Sequence, residues 1–349
     1  MPRHGSRADF ERAAKRLQHL FRDGSPTISV EGWSPNDECG RRNPHLLALG
    51  CEVENLFPGI RCKGGAIDFF SERDIKWWKD SKIDDANSVG PTRNMTSSQV
   101  ACVNFLLPLA AIPGALLSIL RALDDDVVDV AAITHEGHES PVEFEWIGLD
   151  KSLEGGTARG AQNTSIDALL VGETTASRRR AYLLEWKYLE RYLSGRPKFK
   201  GKGISGDTRR RRYSRRYHAP FSSFDPAVVP DMDDFLYEPF YQIMRQRLLA
   251  DRMVREQELA VDEAKVVVVV PEENWPYRAV SDGGTSTSPP LARRFPQLET
   301  VEAVMRASLK DPDAHFDMVA PSFLLEAVCR SLPEATAEWA DYWRDRYEV

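Results

Sequence analysis

Apolar positions along this chain recur with two different periods, and the switch between them sets out the elements. Residues 7–22 carry apolar side chains at helical spacing and predict a first helix. The stretch 24–65 is broken by Gly, Pro and Asn at short intervals and reads as irregular. Phe69 to Lys79, with Trp77 and Trp78, predicts a second helix. Thr96-Ser97-Ser98-Gln99 reads as a helix start with Thr96 or Ser97 as N-cap. Its apolar continuation runs from Val100 to Leu109 and meets Pro108 and Pro113, and Leu116 to Leu123 predicts a further helical piece. Strand patterns follow: Val127 to Ile133, where Asp129 is awkward for a buried strand, and the alternating Pro141 to Ile147. Two more, Ser165 to Val171 and Ala181 to Tyr188, are joined by a polar turn through Gly172 to Ser177.

Beyond this pair, Ser194 to Phe224 is rich in Gly, Lys and Arg and is expected to be a mobile loop ordered by a ligand. Phe235 to Ala260 is the longest predicted helix, with Gln242, Arg245, Gln246 and Leu249 at i, i+3, i+4 and i+7. Five consecutive valines in Lys265 to Pro271 suit a strand covered on both faces. Residues 281–294 read as a loop, His315 to Val319 as a last strand, and helices are expected from Ser322 and over Trp339 to Tyr347. Strands alternating with helices indicate an α/β layer architecture.

Composition narrows the class. The chain has 349 residues and 42% hydrophobic residues, enough for a real core. It shows no apolar run of membrane-spanning length and no signal-peptide pattern, so a soluble, cytoplasmic protein with no membrane partner is expected. Five cysteines (39, 51, 62, 102 and 329), with no CxxC pair, argue against a disulfide scaffold. The net charge of −7 conceals an uneven distribution. Arg178 to Arg216 contains 15 Lys or Arg against three acids, a local balance of +12, which leaves −19 for the rest. A basic segment in an acidic chain points to a polyanion at one place, although a solvated loop would show the same composition.

The chemistry concentrates on the paired strands. Asp167 lies on the first, and Glu185-Trp186-Lys187 on the second. Glu185 and Lys187 are two apart and project to one face, with Trp186 opposite. Carboxylates are hard oxygen ligands for Mg²⁺ or Mn²⁺, and a lysine adds a compact positive charge beside a phosphate. The Asp167 / Glu185-x-Lys187 pattern resembles the PD-(D/E)xK nuclease superfamily, in its restriction-endonuclease-like branch. The proline of that motif is absent here, since Ile166 precedes Asp167.

The resemblance spans about residues 95–270 and implies a central mixed β-sheet flanked by helices. Around it the chain divides into an N-terminal helical or irregular extension (1–94), a core (95–330) and a C-terminal helix (331–349), all within one nuclease domain. It further implies metal-dependent hydrolysis of phosphodiester bonds, with Asp167, Glu185 and Lys187 as catalytic residues. Glu145 is the expected extra metal ligand, with Glu143, on the same strand face, in reserve. Ser98 and Gln99 at the helix start, and Gln242 and Arg245 on the long helix, are expected to support the site; helix capping and a solvated helix face are the plainer readings. Arg178, Arg179, Arg180, Lys198, Lys200, Lys202, Arg209, Arg210, Arg211, Arg212, Arg215 and Arg216 are expected to grip the nucleic-acid backbone without reading its sequence. DNA is the expected substrate, in restriction or in repair, and a homodimer would suit a double-strand cut.

Competing motifs fail on spacing. His135-Glu136-Gly137-His138 has only two residues between its histidines, so it is not the HExxH zinc helix, and its glycine indicates a turn. Cys39, His45, Cys51 and Cys62 match no common zinc module. Lys63-Gly64-Gly65 lacks the rest of a P-loop, and no nucleophile elbow or dinucleotide fingerprint is present. Two other classes stay open: a non-catalytic nucleic-acid-binding module that keeps the nuclease fold, and an interaction protein whose basic segment docks on an acidic partner.

Overall fold

The valine run of the sequence forms an inner strand of a mixed sheet with helices on both faces. The computed structural model describes residues 7–157, 163–190, 192, 198–280 and 289–348. Among them the strands are β1 (Val127–Val130), β2 (Ile133–His135), β3 (His138–Ser140), β4 (Glu143–Trp146), β5 (Ile166–Thr174), β6 (Arg179–Trp186), β7 (Glu263–Val269) and β8 (Phe316–Val319). Six of them form one sheet in the order β1-β5-β6-β7-β8, with β4 also pairing β5. β4 pairs with the start of β5 and β1 with its end, so both share one edge. The β4–β5–β6 block is antiparallel, whereas β6, β7 and β8 run parallel. β2 and β3 form a separate hairpin whose two turn residues, Glu136 and Gly137, have φ of 50° and 82°. That is the turn expected of the His135–His138 segment.

Alternating side chains of the central strands feed two cores. Tyr182, Leu184, Trp186, Val267 and Val269 point into the first. Leu183, Val266, Val268 and Val270 point into the second. The first core is covered by the helices Ser98–Ala110, Ala115–Leu123, Pro321–Ser331 and Ala337–Tyr347, and Phe10 and Ala14 of the helix Arg7–Gly24 join it. The second is covered mainly by the helices Phe240–Glu256 and Gly203–Tyr217. Behind the end of β6, Phe105 lies 5.0 Å from Trp186, 4.9 Å from Trp339 and 4.7 Å from Trp343, ring centre to ring centre. This aromatic wall fixes the strand end that carries Glu185 and Lys187.

Several expected elements differ. The helix expected over Phe69 to Lys79 is Ala66–Glu72, and Asp74 beyond it has a left-handed φ of 47°. Trp77 lies outside that helix and stacks on Phe70 at 3.9 Å, so tertiary packing accounts for the aromatic run. The single strand expected over Val127 to Ile133 is divided between β1 and β2, and Asp129 is exposed. The loop expected over Ser194 to Phe224 contains the helix Gly203–Tyr217. Tyr213 and Tyr217, one turn apart, are both buried in the second core and tie that helix down. Gly206 packs so closely on the Gly201 backbone that an added Cβ would lie 2.2 Å from it. The long helix is Phe240–Glu256, closed by Gln257 at φ 54°. Of the loop expected over 281–294, residues 289–294 are helical and 281–288 lie outside the described residues. All five cysteines are free. No single helix among the described residues is long and apolar enough to cross a membrane.

Phe105→Ala should cost roughly 3–5 kcal/mol of unfolding free energy, since it empties the centre of the aromatic wall. Urea denaturation measures this. A loss below about 1 kcal/mol would mean that the wall is not packed as described.

Candidate active site

Strand register brings three carboxylates into one row. In the β5–β6 ladder Ala168 pairs with Leu184, so the next step sets Asp167 opposite Glu185. In the β4–β5 ladder Phe144 pairs with Ala168 and Trp146 with Ile166, which sets Glu145 opposite Asp167. Cross-strand neighbours of this kind have Cβ atoms roughly 4.5–5.5 Å apart. Glu145, Asp167 and Glu185 thus lie on three adjacent strands. All three line one cleft of about 490 Å³, together with Lys187, Gln99 and Gln242.

β4 breaks its alternation at Glu145. Its φ is 49°, in the left-handed region. Phe144 and Trp146, two residues apart, consequently pack into opposite cores. Glu143 is not the equivalent residue expected on the same face: it is buried in an ion pair with Arg73 at 2.9 Å.

Each carboxylate is oriented from a different side. The Trp186 backbone N–H donates to Asp167 Oδ2 at 2.6 Å. Gln99 Nε2 donates to Glu145 Oε1 at 2.9 Å, and the Ser165 hydroxyl donates to Glu145 Oε2 at 2.7 Å. Gln242 Nε2 donates to Glu185 Oε1 at 2.6 Å, Gln246 Nε2 donates to Glu185 Oε2, and Lys187 forms an ion pair with Glu185. Gln99 and Gln242 both sit in the first turn of a helix, where the backbone N–H groups favour negative charge.

Electrostatics in the row are strained. Burial pushes the Asp167 carboxyl well above the usual carboxylate range, and the Glu185 charge pushes it further, against the pull of Lys187. Burial also raises Glu145; its bonds from Ser165 and Gln99 oppose this, and Glu185 adds to it. Burial alone would lower Lys187, but Glu185, with Tyr192 and Asp167 behind it, holds it well above the ordinary lysine value. Lys187 is therefore an ammonium at neutral pH.

The supporting residues divide. Gln242 and Gln99 reach the carboxylates. Ser97 caps its helix by accepting from the Val100 N–H, while the Ser98 hydroxyl donates to Glu190 Oε1 at 2.6 Å at the cleft wall. Arg245 does not reach the row: it turns to Thr164 at 3.3 Å and Glu154 at 3.8 Å. Gln246, Ser165 and Glu190 belong to the site but were not expected there. Gln246 had a signal, since it lies one turn beyond Gln242.

The basic segment divides too. Arg178, Arg179 and Arg180 stand at the opposite end of β6, roughly 15–25 Å from Glu185 along the strand. Arg178 pairs with Glu263 at 2.7 Å, and Arg180 pairs with Asp126 at 2.8 Å and Glu263 at 2.7 Å. Arg179 donates to the Leu259 carbonyl at 3.1 Å. These three bind acids and a carbonyl at the strand end remote from the cleft. Lys198 lies 5.2 Å over the ring of Tyr192, a cleft residue, and Lys200 pairs with Glu238 at 3.3 Å. Lys202 is exposed at the start of the helix Gly203–Tyr217, which carries Arg209, Arg210, Arg211, Arg212, Arg215 and Arg216. Arg210 is paired with Asp233, whereas Arg211, Arg212 and Arg215 are exposed.

Among the described residues, no three His, Cys, Asp or Glu side chains form a ready-made metal cluster. The donor set nevertheless suits a hard cation. It supplies carboxylate oxygens, and Asp167 makes no bond through its second oxygen among the described residues. Its raised carboxyls would be relieved by added positive charge.

A model of the family described as Restriction Endonuclease associating with ARP matches residues 66–348. The chain belongs to this family. The match extends the resemblance, first placed on residues 95–270, over most of the chain. Restriction-endonuclease membership sets phosphodiester hydrolysis as the reaction class. No curated protein and no solved structure matches the chain.

Asp167 and Glu145 bind protons more tightly folded than unfolded. Their stabilising contribution is therefore full below the ordinary carboxylate range near pH 4 and is lost as pH rises through the raised values. With a chelator present, Asp167→Asn should gain stability over the wild type as pH rises from about 4 to 7. Thermal melts across that range measure the difference; parallel curves would mean that Asp167 carries no such strain.

Proposed function

We propose that the protein is a nuclease dependent on a divalent metal that hydrolyses DNA phosphodiester bonds in host defence by restriction. One observation carries this reading: the carboxylates of Glu145, Asp167 and Glu185 share a cleft with an ammonium in a restriction-endonuclease family. Asp167 and Glu185, with Glu145, would hold Mg²⁺ or Mn²⁺. When bound, that ion acidifies water and stabilises charge on the phosphate.

The remaining work falls to the chain's own groups. The Trp186 N–H fixes Asp167, and Gln242 and Gln246 fix both oxygens of Glu185. Gln99 and Ser165 fix Glu145. Such preorganised partners avoid reorganisation when the phosphate reacts. Lys187 is paired with Glu185 at the cleft. It acts as a fixed positive charge beside the phosphate, where negative charge grows in the transition state. The exposed arginines of the helix Gly203–Tyr217 contact the backbone and make binding weaken with salt.

Plasmid and linear DNA incubated with Mg²⁺, Mn²⁺ or EDTA test this directly. Cleavage should require the metal. Asp167→Ala should abolish it, Lys187→Ala should slow it about 10²–10³-fold, and Gln246→Ala about 10–100-fold. Metal-dependent cutting that persists undiminished in both Asp167→Ala and Lys187→Ala would remove these residues from the mechanism. DNA binding with no cutting under any metal would leave a non-catalytic binding module.

A further inference from the structure

Beside the face that carries Gln242 and Gln246, Tyr241 and Arg245 of the helix Phe240–Glu256 line a second cavity of about 500 Å³. Lys200, Arg209, Arg212 and Arg245 line it, with Tyr213 and Tyr241, and Glu238 is its single acid. Two guanidinium groups attend one ring: Arg245 lies 4.7 Å and Arg209 5.6 Å from the centre of Tyr241. Arg209 Nε donates to the Tyr241 hydroxyl at 3.2 Å, and its Nη1 donates to the Lys200 carbonyl at 2.7 Å. Arg245 Nη1 donates to Thr164 Oγ1 at 3.3 Å. Its Nε is buried and bonded to nothing among the described residues. The nearby Glu154 carboxylate is already taken by Thr164 and Tyr213 and stands 3.8 Å from Arg245. Arg212 is exposed and pairs with no acid among the described residues.

These four cations face two acids, Glu238 and Glu154, so positive charge is in excess here. Glu238 is occupied by Lys200 at 3.3 Å, and its other oxygen has no partner among the described residues. That oxygen repels an anion from its own wall and leaves the Arg209–Arg245 side open. Forked guanidinium donors stacked on an aromatic ring match the geometry of a phosphate.

We infer that this cavity is a second phosphate site, separate from the carboxylate cleft, which holds another phosphate group of the nucleic acid whose scissile phosphate lies in that cleft. The inference rests on the nuclease reading only for the identity of the phosphate's carrier. Gln242 at the cleft and Arg245 at the second cavity are roughly 4.5 Å apart along one helix axis, so the two cavities are neighbours and a strand that enters one passes beside the other. The phosphate has two possible sources, an internal phosphodiester or a terminal phosphomonoester.

Binding measured in EDTA separates this inference from catalysis. The full chain, Arg245→Ala and Arg212→Ala would be titrated with oligonucleotides bearing a 5′-phosphate or a 5′-hydroxyl, read by fluorescence anisotropy. Inorganic phosphate would be tested in parallel by thermal melting. Arg212 is exposed, so its variant reports on binding even where Arg245→Ala folds poorly.

Inorganic phosphate should raise the wild-type melting temperature, and either substitution should reduce that shift. Each should weaken oligonucleotide binding about tenfold, the scale of one hydrogen bond to a charged group. A wild-type preference for the 5′-phosphate that the variants lose identifies a terminal phosphate. Equal weakening for both oligonucleotides identifies an internal one. Unchanged affinity for both, with an unchanged phosphate shift, overturns the inference. Phosphate binding through these arginines in a protein that never cuts would sink the nuclease reading and keep the site. Cutting sensitive to Asp167→Ala, with binding indifferent to both arginines, would do the reverse.

Discussion

Burial of three carboxylates side by side across β4, β5 and β6 is the constraint on which the site depends, and repulsion adds to it. Burial raises the proton affinity of Asp167 and Glu145, the neighbouring carboxylates add to it, and the chain supplies one nearby ammonium, Lys187, to offset the charge. Everything packed around the row limits that repulsion or fixes its geometry. Two helices on opposite faces of the sheet present amide side chains from their first two turns, Gln99 to Glu145 and Gln242 with Gln246 to Glu185. The Trp186 N–H serves Asp167, while the Trp186 ring is locked from behind by Phe105 and Trp343. Site and core are therefore coupled through single residues of β6: Glu185 and Lys187 face the cleft and Trp186 faces the first core.

One strained backbone position falls in the same place. A left-handed φ at a glutamate costs on the order of 1–3 kcal/mol and persists only where the surroundings over-determine it. At Glu145 they do. Phe144 is anchored in one core and Trp146 in the other, where its indole N–H donates to Glu258 at 3.1 Å. A regular strand would send Phe144 and Trp146 to the same face and could not satisfy both. The break that suits the two aromatic residues falls on the residue that strand register sets opposite Asp167.

Much of this was legible in the sequence because it follows from periods and register. A period of two over β5 and β6, with the valine run of β7, gave the central sheet, and the acidic positions on paired strands gave Asp167, Glu185 and Lys187. Glu145 was reached by the same pattern; simple alternation made Glu143 its equivalent, and register separates them, setting Glu145 opposite Asp167 and Glu143 opposite Leu169, where Arg73 pairs with it. Arg245 was misread because i, i+3 spacing brings two side chains near each other without fixing the direction of either; Tyr241 and Thr164 draw Arg245 away. The helix Gly203–Tyr217 was hidden by its composition. Its two buried tyrosines are outweighed locally by arginines and glycines, and its stability comes from distant partners in the second core. Arg178 to Arg180 looked like part of one basic surface, because charge counting ignores the acids of β7 and of the turn at Asp126 that meet them in space.

The most direct test of the carboxylate row is a crystal grown or soaked with Mn²⁺ and measured for anomalous scattering. The account predicts an anomalous peak touching Asp167 and at least one of Glu145 and Glu185. A crystal in which Mn²⁺ binds elsewhere, or in which these three side chains point apart with no peak between them, would contradict it.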